Sequence, residues 1–368
     1  MTATPRARHI AALLLAIIAV GFAPSADASK PAGAANTFIT AEHGLGVGAQ
    51  QLTFVDASRP IKASMGFAGS ATRRIDVRIW YPTELAPAAG PVPIASGAPY
   101  PLVIYSHGTF GSADNAMHLV EHLVRHGYIV AAPDYPLTSS AAYTHVRFAD
   151  ISDVAEQTRD VKFIIDRLLA DPTFGPRIDP AKIGTTGHSL GAVTSYFTSF
   201  GAQTRDPRIA ATALIAGGDP VTTALTQNMG LFGTAHAEVR VPALFLSAEK
   251  DVFARTTGRP YAAYSRVEGP KTEVMIRGGV HVWFRGKPEV LPDGKNPDCI
   301  WFESNMPSRT MPGCELRGGL IDPQRQQAIT RDALLNFFDG YLKKDVRALA
   351  RLRGLGKQYR ETAVIFAD

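Results

Sequence analysis

The sequence is poor in cysteine and contains few charged residues for its length. Two cysteines, Cys299 and Cys314, occur in 368 residues. Neither C-x-x-C nor H-x-x-x-H spacing surrounds them, so we expect no metal site there. Charged residues make up 19% of the chain, with a net charge of +5 and no basic run, which disfavours nucleic acid as a partner. The apolar content of 45% is enough for a substantial core and argues against disorder.

The N-terminus has an apolar run that is too short to span a membrane. Residues 10–22 are apolar, whereas a spanning helix needs about 20 such residues. Arg6 and Arg8 precede the run, and Ala26-Asp27-Ala28 follows it with small residues where signal peptidase cleaves. We therefore predict a secretory signal peptide over residues 1–28 and an exported protein, periplasmic or extracellular. An uncleaved membrane anchor is the less favoured alternative.

Export suggests a role for the two cysteines. An even and sparing number of cysteines in an exported protein predicts one disulfide, between Cys299 and Cys314. Closing a loop of this length stabilises a protein by about 3 kcal/mol in the chain-entropy model. Two buried, unpaired thiols are the alternative.

No internal repeat, low-complexity tract or linker divides the sequence, so we expect a single domain. Residues 29–47 are rich in Ala and Gly and are predicted to be a flexible lead-in. The domain is predicted over residues 48–345, with a C-terminal tail over residues 346–368. Within the domain, residues 286–319 form a long inserted loop that carries both cysteines and precedes the last predicted helix, over residues 325–343.

The spacing of apolar residues predicts a mostly parallel sheet. Residues 50–56 and 74–81 alternate apolar and polar side chains, which is typical of half-buried antiparallel strands at a sheet edge. Further short, apolar or β-leaning runs are typical of strands covered on both faces. These runs are residues 101–106, 128–133, 181–186, 209–215, 241–246 and 273–276. Amphipathic helical patterns between many of them predict an α/β protein with a doubly wound sheet.

A sharp turn is predicted where strand 181–186 meets the next helix. Its sequence, Gly187-His188-Ser189-Leu190-Gly191, matches the G-x-S-x-G nucleophile elbow, which holds a strained serine at the tip of the turn. Glycine is expected on both sides because strand and helix approach too closely there for a Cβ. Ser189 is therefore the candidate nucleophile. The Leu190 amide, at the start of the helix, is a candidate donor to an oxyanion.

A serine nucleophile needs a histidine base that a carboxylate orients. In α/β proteins with a nucleophile elbow, the order along the chain is serine, acid, histidine, and the acid and the histidine follow the ends of later strands. Strand 241–246 leads into Glu249-Lys250-Asp251. Asp251 is favoured as the acid, and Glu249, which is closer to the strand end, is the alternative. Strand 273–276 leads into Gly278-Gly279-Val280-His281, which makes His281 the candidate base.

A second oxyanion donor is expected from the loop after the first buried strand. His107-Gly108-Thr109-Phe110-Gly111 follows that strand. Its glycines allow the backbone to approach a substrate oxygen. We favour the amide of Thr109 as the donor, and the amide of Phe110 is the alternative.

The remaining histidines near these motifs are assigned structural roles. His107 and His188 are expected to pack or to form hydrogen bonds within their loops rather than to act as bases. His118, His122 and His126 recur every four residues on one predicted helix. This spacing could bind a metal, but we expect a solvent-facing stripe.

Several short segments resemble a known group of enzymes. They are Asp56-Ala57-Ser58-Arg59, Ile79-Trp80-Tyr81-Pro82, Tyr105-Ser106-His107-Gly108, residues 127–134, the elbow, Glu249-Lys250-Asp251 and Gly279-Val280-His281. Together they resemble secreted bacterial α/β-hydrolases of the dienelactone hydrolase-like and platelet-activating-factor acetylhydrolase-like group, and more distantly cutinases and polyester hydrolases. The resemblance covers residues 50–345. It implies an α/β-hydrolase fold, a triad of Ser189, His281 and Asp251, and an oxyanion hole formed by the amides of Thr109 and Leu190.

One departure restricts what this resemblance implies. Dienelactone hydrolases use a cysteine nucleophile, whereas Ser189 occupies the elbow here, so that activity is not implied. The motifs and the resemblance together predict an exported serine esterase that acts on small or lipid-like esters through an acyl-enzyme. No metal or cofactor is expected. An amidase, a peptidase or a polyester depolymerase on the same scaffold, and an inactive binding protein, are the alternatives.

Overall fold

The computed structural model describes most of the chain after the predicted signal peptide. The described residues are 44–64, 66–84, 92–144, 149–219, 236–254, 261–286, 294–305, 313–314 and 318–368. The signal peptide and nearly all of the predicted lead-in lie outside these ranges.

The strands of the described chain form one sheet. In chain order they are β1 (Gly46–Asp56), β2 (Arg73–Thr83), β3 (Tyr100–Ser106), β4 (Ile129–Asp134), β5 (Ile178–His188), β6 (Ile209–Ile215), β7 (Ala243–Ala248), β8 (Lys271–Ile276) and β9 (Thr362–Ala367). Their order across the sheet is β1-β2-β4-β3-β5-β6-β7-β8-β9. Neighbours from β4 to β8 pair in parallel. The pairs β1–β2, β2–β4 and β8–β9 are antiparallel. The mostly parallel sheet with an antiparallel N-terminal edge is therefore confirmed.

Helices cover both faces of this sheet. In the described ranges they are α1 (Met117–Arg125), α2 (Val154–Ala170), α3 (Leu190–Phe200), α4 (Tyr261–Arg266), α5 (Pro297–Asn305), α6 (Pro323–Leu342), α7 (Val346–Arg353) and α8 (Leu355–Gln358). Apolar side chains of α1 and α6 share one buried cluster with the sheet, and those of α2 and α3 belong to two others. The doubly wound α/β-hydrolase architecture follows from this arrangement.

The central strand β3 shows why the buried runs do not alternate. All of its residues are buried. Val103 and Tyr105 pack into the cluster with α1 and α6, whereas Leu102 and Ile104 pack into the cluster with α2. Because successive side chains of a strand point to opposite faces, a strand covered on both sides needs apolar residues at every position.

The C-terminal prediction was wrong. Residues 346–368, predicted as a tail, form α7, α8 and β9. Strand β9 pairs antiparallel with β8, so the strand at 271–276 is not the last one of the sheet. Its Ile365 and Phe366 are about half exposed. An edge strand with apolar residues on its exposed side lacks the alternation by which a half-buried strand is recognised.

Candidate active site

The turn between β5 and α3 holds Ser189 in a conformation that few non-glycine residues adopt. Its φ of 56° and ψ of −118° lie outside the usual regions, as a nucleophile elbow requires. Its amide donates to the carbonyl of Ile215 over 2.8 Å, which attaches the turn to the end of β6. Ser189 therefore lies at the tip of a strained turn, beside the carboxyl ends of the parallel strands.

The glycines of the elbow are explained by the close approach of three elements. A Cβ on Gly187 would lie 2.3 Å from the carbonyl oxygen of Gly191. A Cβ on Gly191 would lie 2.0 Å from the carbonyl oxygen of Ser106, at the end of β3. Both neighbours are backbone atoms, so a side chain at either position would force the strand and the helix apart. The predicted steric reason for these glycines is confirmed.

The loop after β3 lies directly against the elbow. A Cβ on Gly108 would lie 3.1 Å from the Cβ of Ser189. Phe110 in this loop has a φ of 60°, and its amide donates to the carbonyl of Thr138 over 2.8 Å. Of the two amides considered as the second oxyanion donor, the amide of Phe110 is therefore already occupied, which favours Thr109.

The main-chain amides of Thr109 and Leu190 have no acceptor within the described part of the chain. Leu190 is the first residue of α3, where an amide has no partner inside the helix. Amides available to a ligand are the chemical requirement of an oxyanion hole, so both predicted donors have the required property.

The loop after β7 supplies a buried carboxylate to the loop after β8. Oδ2 of Asp251 accepts a hydrogen bond from Nδ1 of His281 over 2.8 Å. Oδ1 of Asp251 accepts from the amides of Phe253 and Ala254, which fixes the carboxylate within its own turn. The alternative acid, Glu249, instead accepts from the amide of Gly278, and its side chain is 42% exposed. The geometry favours Asp251 over Glu249 as the partner of the histidine.

The environment of His281 favours the protonated form of its imidazole. Burial lowers the pKa of His281, but the charge and hydrogen bond of Asp251, together with the charge of Asp298, outweigh burial and raise it above the ordinary value of 6.5. Arg285 acts in the opposite direction. Because Nδ1 carries the proton that Asp251 accepts, Nε2 of the neutral ring is left as a proton acceptor.

Two other histidines hold the loops of this site together. Nε2 of His188 donates to the carbonyl of His281 over 3.1 Å, and the two ring centroids are 4.4 Å apart. His188 directly precedes Ser189, so this contact attaches the loop after β8, which carries His281, to the elbow. In the loop after β3, Nδ1 of His107 donates to the carbonyl of Gly108, and Nε2 accepts from the amide of Tyr135.

Both of these rings are held neutral. Burial lowers the pKa of His107 to about 4. Burial and the nearby His281 lower the pKa of His188 well below its ordinary value. The expected hydrogen bond within the loop is present for His107, whereas His188 bonds to the loop of His281 instead.

A second carboxylate, which we did not predict, lies beside the histidine. Asp298, near the start of α5, is fully buried. Its Oδ2 accepts from the amide of His281 over 3.0 Å, and its Oδ1 accepts from the amide of Val282 over 2.9 Å. Burial and the charge of Asp251 raise the pKa of Asp298 to about 7, so this carboxyl group ionises close to neutral pH. The only signal in the sequence was its position next to Cys299, in the inserted loop.

The predicted disulfide is present. Cys299 and Cys314 are bonded, with their Cα atoms 5.6 Å apart, so the alternative of two free thiols is wrong. The pair packs against Val252, the residue after Asp251, and Phe253 and Trp301 border the same small cluster. The inserted loop is thereby attached to the loop that carries the acid.

The expectation for the histidines of α1 was wrong. His118 and His122 are partly buried rather than solvent-facing, and Nε2 of His118 bonds to the carbonyl of Phe284 over 3.1 Å. Burial lowers their pKa values to about 4 and about 3. Helix α1 packs against the segment that follows His281. The helical spacing of the histidines does not show which segment covers them. Within the described ranges, no group of three or more His, Cys, Asp or Glu residues could hold a metal ion.

A small cavity of about 20 Å³ lies at the carboxyl ends of β6, β7 and β8. Asp251 lines it on one side, and small or apolar residues such as Ala216, Gly217 and Met275 line the rest. This volume is enough for about one water molecule beside the acid of the candidate triad.

Comparisons with known proteins agree with this fold. The sequence model of the chlorophyllase family matches residues 70–230, which include the elbow. Lipase 1 from Moraxella sp. (strain TA144) is 26% identical over 117 residues, which are 32% of this chain and 31% of that lipase. The match thus spans less than a third of the lipase.

A solved structure extends the likeness to nearly the whole chain. The ferulic acid esterase from Streptomyces cinnamoneus superposes with a TM-score of 0.61 at 22% identity, and the alignment covers 88% of this chain and 96% of the esterase. In the described residues, none of the helices combines the length and the apolar character needed to cross a lipid bilayer. The chain has the α/β-hydrolase fold, and parts of it are similar in sequence to the chlorophyllase family and to a lipase.

Proposed function

We propose that the protein is an exported serine hydrolase that cleaves carboxylic esters through an acyl-enzyme. Ser189 is the nucleophile, His281 the base and Asp251 the acid. One observation carries this proposal above the others. The hydrogen-bonded pair of Asp251 and His281 is fastened, through the carbonyl of His281, to His188 of the elbow, the residue before Ser189.

The chemistry follows from the protonation state of His281. Its Nε2 takes the proton of the Ser189 hydroxyl while Oγ forms a bond to the ester carbonyl carbon. The tetrahedral intermediate collapses, the bond to the alcohol oxygen breaks, and the departing alkoxide takes the proton from Nε2. Water then attacks the acyl-enzyme, again losing a proton to His281. The carboxylic acid leaves, and Ser189 recovers its proton.

The oxyanion of each tetrahedral intermediate is bound by the amides of Thr109 and Leu190. The absence of an internal acceptor for either amide in the described chain supports this assignment. Each donor lowers the barrier by roughly 3 kcal/mol because it is already in place when the charge develops. This mechanism uses no cofactor and no metal.

The substrates are small or lipid-like esters. Support comes from the relatives, a lipase and a ferulic acid esterase. Export rests on the predicted signal peptide, and the disulfide fits an oxidising compartment. N-terminal sequencing of the protein from the periplasm or medium should start at Ser29. A protein that retains residues 1–28 would contradict export by this route.

Labelling with a fluorophosphonate probe tests the nucleophile. The wild-type protein should be labelled at Ser189, and both labelling and hydrolysis of p-nitrophenyl esters should disappear in Ser189→Ala. His281→Ala should lose labelling as well, because the hydroxyl is no longer deprotonated. Ser195→Ala, which removes a buried hydroxyl from the same helix, is the matched control and should remain active. Full activity of Ser189→Ala would exclude the proposed nucleophile.

A substrate panel separates the reaction classes that share this scaffold. Ester, anilide and polyester substrates are compared at one enzyme concentration. Faster turnover of short soluble esters supports the proposal. Preference for the anilide would indicate an amidase or a peptidase, and preference for the polymer a depolymerase. Absence of both labelling and turnover would indicate a binding protein.

A further inference from the structure

The buried carboxylate of Asp298 joins the two loops that carry the acid and the base of the candidate triad. It accepts from the amides of His281 and Val282, in the loop after β8. It also accepts from the amide of Val252 over 3.3 Å, in the loop after β7. Val252 follows Asp251 directly in sequence, so a single side chain is bonded to the backbone beside both members of the hydrogen-bonded pair.

Neighbouring residues hold Asp298 in this place. Its own amide donates to Oδ1 of Asn296, and Nδ2 of Asn296 donates to the carbonyl of Lys250 over 2.7 Å. On its other side, Cys299 is bonded to Cys314. Residues 294–305 are therefore attached to the loop after β7 by hydrogen bonds on one side of Asp298 and by the packed disulfide on the other.

A neutral side chain of the same shape cannot make these bonds. The three amides all donate, and the carboxylate accepts with both oxygens. The amide of an asparagine has one oxygen, and its NH₂ group would face a donor. The charges of His281 and Arg285 both interact with the carboxylate of Asp298. A buried charge is costly, and here the amides of His281 and Val282 together with the charge of His281 offset part of that cost.

We propose that Asp298 is a positioning residue of the hydrolase, which holds the loops of Asp251 and His281 in register and adds a second negative charge beside the imidazolium. The proposal rests on the proposed function, since it assigns Asp298 a part in the cycle of His281. The carboxylate does not touch the substrate and acts through the histidine.

Four ionisable groups act on the ring of His281. Asp251 and Asp298 favour its protonated form, and Arg285 disfavours it. His188 stacks on the ring and is kept neutral by burial and by His281. Without the charge of Asp298, only Asp251 raises the pKa of His281, and Arg285 still lowers it. The pKa of His281 should therefore fall, and the imidazole should lose its proton at a lower pH.

The pH dependence of kcat/KM for a p-nitrophenyl ester tests this role. In Asp298→Asn, kcat should fall roughly 10- to 100-fold because the histidine is less well placed. The acid limb of the profile should move to lower pH because a negative charge beside His281 is lost. In Asp298→Glu the charge remains, so kcat should fall while the limb keeps its wild-type position. A purely structural residue would lower kcat in both variants without moving either limb.

Asp345→Asn is the matched control. Asp345 also accepts a backbone amide with its carboxylate, but at the start of α7, and it should leave both kcat and the limb unchanged. If folded Asp298→Asn has the acid limb of its kcat/KM profile at the same pH as the wild type, the proposal is overturned. If that variant does not fold, Asp298→Glu decides, since an unchanged kcat there would overturn it equally. Loss of activity in Ser189→Ala is measured in parallel, so a failed nucleophile is distinguished from a failed role of Asp298.

Discussion

Nδ1 of His281 lies 2.8 Å from Oδ2 of Asp251, although 30 positions of the chain separate the two residues. Both side chains are almost completely buried. The contact exists because β7 and β8 are adjacent and parallel, so the loops that leave their carboxyl ends begin side by side. A pair that is both desolvated and hydrogen-bonded depends on each partner more strongly than an exposed pair does.

Asp251→Asn should lower kcat/KM roughly 10⁴-fold, as loss of the carboxylate does in other serine triads, because the asparagine stabilises the wrong tautomer of His281. Glu249→Gln is the matched control, since Glu249 lies two residues earlier and is largely exposed, and it should change kcat/KM by less than about twofold. Steady-state kinetics on one ester measures both. A large loss in Glu249→Gln with none in Asp251→Asn would reverse the assignment of the acid.

The acid limb of kcat/KM should lie above pH 6.5. The proposed base, His281, can accept a proton only when neutral, and Asp251 with Asp298 raises its pKa above that ordinary value against the effect of burial. Activity should therefore be present above the raised pKa and should be lost as the pH falls through it. A profile of kcat/KM from pH 4 to pH 9 measures the midpoint. A midpoint below pH 6.5 would contradict the assigned environment of the ring.

Gly191→Ala should destabilise the protein and remove probe labelling, because the new Cβ would lie 2.0 Å from the carbonyl oxygen of Ser106. Overpacking against backbone costs about 1–3 kcal/mol. Gly356→Ala is the control, since the nearest atom to its Cβ would be the carbonyl oxygen of Thr362 at 3.6 Å, and it should change stability by less than about 0.5 kcal/mol. Urea unfolding gives both free energies. Equal values for the two variants would argue against a tight elbow.

Acidification should destabilise the protein in part through His107, which is 1% exposed. Burial lowers its pKa from 6.5 to about 4 in the folded state. The unfolded chain therefore binds the proton first, and stability falls as the pH drops from 6.5 towards 4, by roughly 3 kcal/mol for this residue. His107→Asn should be less stable at pH 7 and should show a shallower pH dependence. If the unfolding free energy of His107→Asn depends on pH as steeply as that of the wild type, His107 is not a source of the acid destabilisation.

Removal of the disulfide should weaken both the fold and the site. The bond closes a loop with a sequence separation of 15, which corresponds to about 3 kcal/mol of unfolding free energy. The double variant Cys299→Ser/Cys314→Ser should lose that amount in urea unfolding. It should also lose activity, because Asp298 adjoins Cys299. Wild-type kcat in the double variant would show that the bond is not needed to hold the inserted loop.

How far the sequence predicts the structure depends on the range of each interaction. The elbow was predicted because its signal is local: a strained residue between two close-packed elements requires glycine at Gly187 and Gly191. The preference for Asp251 over Glu249 was also predicted, although strand ends alone do not distinguish them. The choice rests on which side chain turns inward, and in the structure Glu249 is occupied by the amide of Gly278.

The errors share a physical cause. Strand β9 was missed since its Ile365 and Phe366 lie on an exposed edge, where no alternation marks a half-buried strand. The histidines of α1 were placed towards solvent because their helical spacing says nothing about the segment that covers them. Phe284 accepts a hydrogen bond from His118 across a long stretch of chain. A contact between two distant segments does not change the spacing of apolar residues in either segment, so it cannot be predicted from that spacing.

The amino-acid sequence by itself determined the alternation of strands and helices, the elbow around Ser189 and the order of the candidate nucleophile, acid and base. These depend on side-chain periodicity and on backbone strain, which neighbouring residues encode. Only the tertiary structure decided that Asp251 meets His281, that β9 completes the sheet and that Asp298 is bonded to the backbone beside both triad partners. Those contacts depend on which strands lie side by side and on where the inserted loop packs, and packing is a property of the whole chain.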